Sequence, residues 1–124
     1  MSVAIEVRTP AGDILKPGLY FFKARWCHFC KLATPIIDQV RRDSRCGQYV
    51  NEISVGGEEE EIIITPQQRA LGNKTFDELH RLFKVRGYPT IVMVSKKGKM
   101  TSYQGERTVE DIINAITQQD FFLH

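Results

Sequence analysis

A chain of 124 residues, 42% hydrophobic and 26% charged, has the length of one domain and the composition of a globular one. No apolar run approaches the ~18 residues of a membrane-spanning helix, and the apolar fraction is too high for a disordered chain. Seventeen Lys and Arg against fifteen Asp and Glu leave +2, too weak a balance to announce a nucleic-acid partner.

Area scaling has folding bury about two-thirds of the unfolded surface, so a core can form without staples, and one domain over residues 1–124 is expected. Residues 5–8 read as a short first strand, ended by Pro10 and the turn-rich Ala11-Gly12-Asp13, with a second turn at Pro17-Gly18. Leu19-Tyr20-Phe21-Phe22 is continuously apolar and reads as a buried central strand. From Cys30 onward Leu32, Ala33, Ile36, Ile37 and Val40 recur at helical spacing. Arg41, Arg42 and Arg45 gather at that helix's C-terminal end, Gly47 is the expected stop, and Pro35 is expected to kink it. Residues 49–55 read as a strand, Gly56-Gly57 as a tight connection and Ile62-Ile63-Ile64 as a short β-branched run. Thr75 and Glu78 make a capping box for a helix whose face is Phe76, Leu79, His80 and Phe83. Residues 91–94 are again apolar, Lys97-Gly98 punctuates, and residues 100–103 are the expected hairpin partner. Thr108 with Asp111 opens a last helix carrying Val109, Ile112, Ile113 and Ile116 on one face. Strands and helices in this order predict an α/β architecture, a central mixed sheet flanked by helices.

Charge is segregated along the chain. Residues 21–45 hold six basic and two acidic side chains, while Glu58, Glu59, Glu60 and Glu61 form an acidic block. The basic stretch reads either as a solvated face or as a positive field around a cysteine pair. Residues 1–6 show neither a basic region nor an apolar one of the secretory kind, and three cysteines are too few for a disulfide-dense secreted scaffold. A reducing compartment is expected, the cytoplasm by default.

The sharpest local signal is Trp26-Cys27-His28-Phe29-Cys30-Lys31, where an apolar strand gives way to a helix. A helix N-terminus favours a thiolate on the first cysteine, and Arg25, His28 and Lys31 can add positive charge. The thiolate is the attacking species in disulfide exchange, so Cys27 reads as nucleophile and Cys30 as resolving thiol. Two other readings use the same pair, a structural disulfide and a zinc site. Zinc needs four ligands, and Cys46 stands roughly 24 Å away along the helix at 1.5 Å per residue, which argues against a closed site.

These residues resemble the thioredoxin superfamily over about residues 19–119. The resemblance rests on Phe21-Phe22 in the strand, Trp26 to Cys30, Pro35 five residues after the second cysteine, and Tyr88-Pro89-Thr90 ahead of Ile91-Val92-Met93-Val94. Residues 103–108, Tyr-Gln-Gly-Glu-Arg-Thr, resemble the last-strand-to-helix passage of protein disulfide isomerase domains. The resemblance implies a thioredoxin fold and a thiol-disulfide oxidoreductase acting on disulfide-containing or dithiol protein substrates with a separate redox partner. It implies a cis bond before Pro89, a docking surface from Trp26, His28, Phe29, Tyr88 and Pro89, and no metal or organic cofactor. No nucleic-acid or membrane partner is expected. The rival reading is a non-catalytic binding module in which the Cys27–Cys30 disulfide only locks a loop.

Three departures stand out. Family members often carry a buried acid six residues before the first cysteine, to manage the resolving thiol's proton; here that position is Phe21, leaving Glu52 or His28 as guesses for a base. The intervening pair His28-Phe29 is neither Gly-Pro nor Gly-His, and residues 56–74 are long enough to be an insertion. Elsewhere, His80 reads as a partly buried structural histidine and Cys46 as an inert thiol or the source of an intermolecular disulfide. Phe121-Phe122-Leu123 reads as packing back onto the sheet, or as a dimer patch if exposed.

Overall fold

Leu19, Tyr20, Phe21 and Phe22 present no polar face, and the chain places them in the middle of a sheet. A computed structural model describes residues 7–8, 14–24, 26–56, 61–63 and 81–123. In it β1 (Val7–Arg8) and β2 (Ile14–Leu15) form an antiparallel ribbon. A five-stranded sheet is built from β3 (Gly18–Ala24), β4 (Val50–Gly56), β5 (Glu61–Ile63), β6 (Thr90–Val94) and β7 (Met100–Ser102) in the order β5-β4-β3-β6-β7. β3 and β4 run parallel and the other neighbours antiparallel. A parallel pair needs a crossover, and α1 (His28–Arg42) supplies it; α2 (Val109–Thr117) follows β7.

The two faces of β3 feed two core layers, which is why its sequence is continuous rather than alternating. Leu19 and Phe21 pack with Ala33, Ile37, Val40, Ile112 and Ile116 under α1 and α2. Tyr20, Phe22 and Ala24 pack with Ile53, Phe83 and Val92 on the other face, where residues 81–83 are helical. Tyr20 is fully buried yet satisfied: its hydroxyl donates to the Lys16 carbonyl at 2.6 Å, and burial pushes its phenol above the usual range. Each such buried side chain contributes on the order of 1.5–3 kcal/mol.

Local signals explain the ends. Thr108 caps α2 by accepting from the Asp111 amide at 3.1 Å. Phe121 and Phe122 are buried against the Tyr49 ring, whose hydroxyl accepts from the Leu123 amide, so the terminal aromatics pack back as expected while Leu123 itself is half-exposed.

Three expectations are corrected. α1 stops at Arg42, five residues before Gly47: the Asp43 carboxylate accepts from the Arg45 and Cys46 amides and turns the chain. Those backbone donors, Arg45's first, hold Asp43 below the usual carboxylate range. Gly47 instead opens a 3-10 turn (Gly47–Tyr49), where a Cβ would overlap the Arg41 carbonyl, so its role is close approach rather than a left-handed cap. Tyr49 accordingly ends that turn, and β4 begins at Val50. Leu32, placed by periodicity with the apolar stripe, is 58% exposed. It lies about 100° around the helix from Ala33, off the arc that faces the sheet.

The turn at residues 10–13, Gly57, Ile64, the insertion read over residues 56–74 apart from Gly56 and β5, the capping box of Thr75 and Glu78, and Phe76, Leu79 and His80 lie outside the described residues.

Candidate redox site

β3 ends at Ala24 and α1 begins at His28, so the connection that carries Cys27 is short and fixed at both ends. The Cys27 amide donates to the Ala24 carbonyl at 3.2 Å, and the Lys31 amide reaches the Cys27 carbonyl. Cys27 is the N-cap of α1, in extended conformation, and its Sγ accepts from the Cys30 amide at 3.1 Å. The cap is thus a sulfur where Ser, Thr or Asp would ordinarily supply an oxygen. No acidic residue stands in the first turn of α1, and Arg41 and Arg42 fill the last, so the positive end of the helix dipole acts on this sulfur without a competing carboxylate in that turn.

Cys27 and Cys30 are joined in a disulfide, with Cα atoms 5.2 Å apart. Their surroundings differ. Cys30 is 2% exposed within the helix, whereas Cys27 is only partly buried, at the margin of the Tyr20–Phe83 layer. Cys27 is therefore the more accessible of the two. Thr34 donates to the Cys30 carbonyl at 2.7 Å, one turn ahead of Pro35, which has no amide to give.

The other residues expected here gather around the pair. Trp26 is 57% exposed and stands edge-on to Tyr88, ring centroids 6.0 Å apart, which ties the cysteine loop to the loop that carries Pro89. The Tyr88–Pro89 peptide bond is cis, and Thr90 donates to the Gly87 carbonyl at 2.6 Å to close that loop. Partial burial raises the Tyr88 phenol above its ordinary value. His28 is exposed and stacks edge-on to Phe29, which is 61% exposed. Leu32, three residues beyond Phe29 and so on its side of the helix, adds a second exposed apolar side chain. Sequence periodicity hid it by assigning it to the core; the four-residue gap to Ile36 looked the same on paper.

The described residues of the basic stretch do not gather around the cysteines as a unit, and Arg25 lies outside the described residues. Lys23 and Arg41 both engage Glu52, at 3.4 and 3.0 Å. Glu52 is 9% exposed on β4 and stands directly beside Phe21 in the sheet register, so the two side chains share the face beneath α1. A carboxylate is present next to the position where Phe21 replaces the family's acid, but two cations already hold it. Cys46 is a free thiol, fully buried; burial first, then the Asp43 charge, push it up to about 11. No cluster of three or more metal-ligating side chains occurs among the described residues.

No family model matches the sequence. A protein disulfide-isomerase of Ricinus communis is 35% identical over 118 residues, 92% of this chain and 20% of that protein. A protein disulfide-isomerase of Zea mays is 32% identical over 101 residues, 82% of this chain and 16% of that protein. The chain thus spans about a fifth or less of the length of these curated relatives. Among solved structures, an exposed lipoprotein thioredoxin from Streptococcus pneumoniae superposes with a TM-score of 0.54 at 18% identity, over 94% of this chain and 99% of that one.

Proposed function

Because the chain belongs to the thioredoxin superfamily, we propose that it is a thiol-disulfide oxidoreductase acting on protein substrates, with Cys27 as nucleophile and Cys30 as resolving thiol. The observation that carries this reading is the Cys27 sulfur at the N-cap of α1, accepting a backbone amide at a helix end with no acid in its first turn. In the reduced protein the same amide and dipole stabilise a Cys27 thiolate. That thiolate attacks one sulfur of a substrate disulfide; the other sulfur leaves as a thiolate and takes up a proton, and a mixed disulfide with Cys27 remains. Cys30, losing its proton, attacks the Cys27 sulfur, re-forms the intramolecular disulfide and releases the second substrate thiol. Two electrons pass to the substrate, and a separate dithiol partner returns them. Trp26, Phe29, Tyr88 and Pro89 form the docking surface in this reading. The cytoplasmic setting expected from the sparse cysteines stays part of the proposal.

Dithiothreitol-driven reduction of insulin tests it: wild type should accelerate precipitation of the insulin B chain, and Cys27→Ser should match dithiothreitol alone. Equal rates for the two proteins would remove the assignment and leave a binding module with a structural disulfide.

His28 sets a second expectation. A charged imidazole beside a cysteine stabilises its thiolate, and with it the reduced state, which makes a disulfide more oxidising. The potential should lie on the oxidising side of the roughly −270 mV typical of thioredoxin, and His28→Gly should move it in the reducing direction. A glutathione redox titration of both proteins measures the shift; a move of opposite sign would show that the exposed histidine acts otherwise.

A further inference from the structure

The stretch from Arg81 to Gly105 contains six Lys and Arg and no Asp or Glu. Folding concentrates four of them. Lys84, Arg86, Lys97 and Lys99 line a cavity of about 770 Å³ on the sheet face opposite α1, between residues 82–90 and the β6-β7 hairpin. Phe83, Val92 and Met100 give it apolar walls, and Thr90 and Ser102 add hydroxyls. The ion pairs among the described residues join Lys23, Arg41 and Arg45 to Glu52 and Asp43, and none involves these four cations. Asp120 is the carboxylate seen at the hairpin, where it accepts from the Lys96 amide and does not line the cavity. The hairpin turn is itself fixed: the Ser95 hydroxyl oxygen accepts from the Lys97 and Lys99 amides at 3.2 and 3.0 Å.

We infer that this cavity binds an acidic polypeptide segment with an apolar side chain, the side chain seated on Phe83, Val92 and Met100 and the carboxylates on the surrounding cations. Charge complementarity selects an anion, since four cations around one concavity with no carboxylate among its described lining attract negative charge and repel their own kind. The apolar walls and the volume, within the several hundred Å³ of ligand pockets, select an occupant larger and greasier than inorganic phosphate. A nucleic acid would call for exposed aromatic platforms, and the one ring among the described lining residues, Phe83, is 7% exposed. Of this chain's own acidic block, Glu61 stands on β5 at the opposite edge of the sheet, with three strands between it and β7.

The cavity also adjoins the cysteines. Gly87 and Thr90 line it while Tyr88 and Pro89, between them, belong to the disulfide site, and Cys27 and Tyr88 pack against the layer that contains Phe83 and Val92. Resting on the oxidoreductase reading, the inference therefore names a substrate class: proteins whose target disulfide is flanked by acidic residues.

Binding is measured without chemistry. A fluorescein-labelled Glu-Glu-Leu-Glu-Glu-Phe-Glu peptide is titrated by anisotropy into Cys27→Ser, which forms no mixed disulfide at that position, so the result stands whether or not the enzyme reading does. Saturable binding is expected, weakened about tenfold by added Lys97→Glu and Lys99→Glu, by Gln in place of Glu in the peptide, and by raised salt, and changed less than about twofold by Arg107→Glu outside the cavity. A far-UV circular dichroism spectrum and a urea melt that match wild type show that the doubly reversed protein is folded. With a disulfide peptide in acidic or neutral flanks, kcat/KM should differ about tenfold through KM in wild type and equalise in the doubly reversed protein. Absence of binding, equal binding of the Gln peptide, or indifference to the charge reversal would overturn the inference. So would tighter binding of an unstructured single-stranded DNA or of phosphatidylserine vesicles, or salt-sensitive self-association that competes with the peptide.

Discussion

Cys30→Ser should accumulate covalent mixed disulfides through Cys27, and Cys27→Ser should accumulate at least about tenfold fewer. The asymmetry follows from position. The Cys27 sulfur sits at the helix end and accepts the Cys30 amide, and Cys27 is only partly buried, while Cys30 is 2% exposed one turn in. A dipole that acts within the first turn favours the thiolate at the first sulfur, and desolvation disfavours it at the second. Cys46 does not confuse the experiment, because it is fully buried and its thiol is pushed up to about 11, leaving little thiolate at neutral pH. Non-reducing gels and mass spectrometry of both variants, exposed to a disulfide-bonded protein, make the comparison. Equal adduct yields would defeat the assignment of nucleophile and resolving thiol.

What the sequence carries and what it hides divide along the range of the interactions. β3 and β6 were legible because both are continuous apolar runs, which a central strand with two covered faces requires. α2 was legible to its first residue because its cap is a side chain three residues before the amide it satisfies, and the signal is local. The cysteine pair was legible from spacing together with the strand before it and the helix after it. The end of α1 was not, because an Asp43 carboxylate turning back onto two amides competes with a glycine stop, and nothing in the residue types ranks the two. The exposure of Leu32 depends on which arc of the helix meets the sheet. The meeting of Glu52 with Lys23 and Arg41, and the gathering of Lys84 and Arg86 with Lys97 and Lys99, depend on register and topology, which no local window contains.

Phe21→Asp should lower stability by at least about 3 kcal/mol, the usual cost of removing a buried aromatic ring, and should still speed resolution of a preformed Cys27 mixed disulfide near neutral pH. Phe21 is fully buried under α1 and Lys23 lies over its ring, so the substitution removes packing and buries an ionisable group. The sheet register adds a further cost, because the new carboxylate faces Glu52 directly across the β3-β4 pair, and like charges at opposed positions repel. Lys23 and Arg41 are already on that face. Adding Glu52→Gln should therefore return part of the lost stability by freeing both cations for the new carboxylate, and urea melts of the four proteins of the double-mutant cycle measure that coupling. The kinetic expectation rests on proton transfer: an apolar ring cannot take the Cys30 proton, so release from Cys27 in wild type should follow Cys30 ionisation and rise with pH, whereas a carboxylate at position 21, where the family resemblance places an acid, should flatten the profile by accepting that proton. Single-turnover release across pH, in wild type and in the double variant that folds better, is the measurement. A release rate at or below wild type at every pH would mean that the proton of Cys30 already has a route, and that the ring at position 21 limits nothing but the electrostatics of the strand beside it.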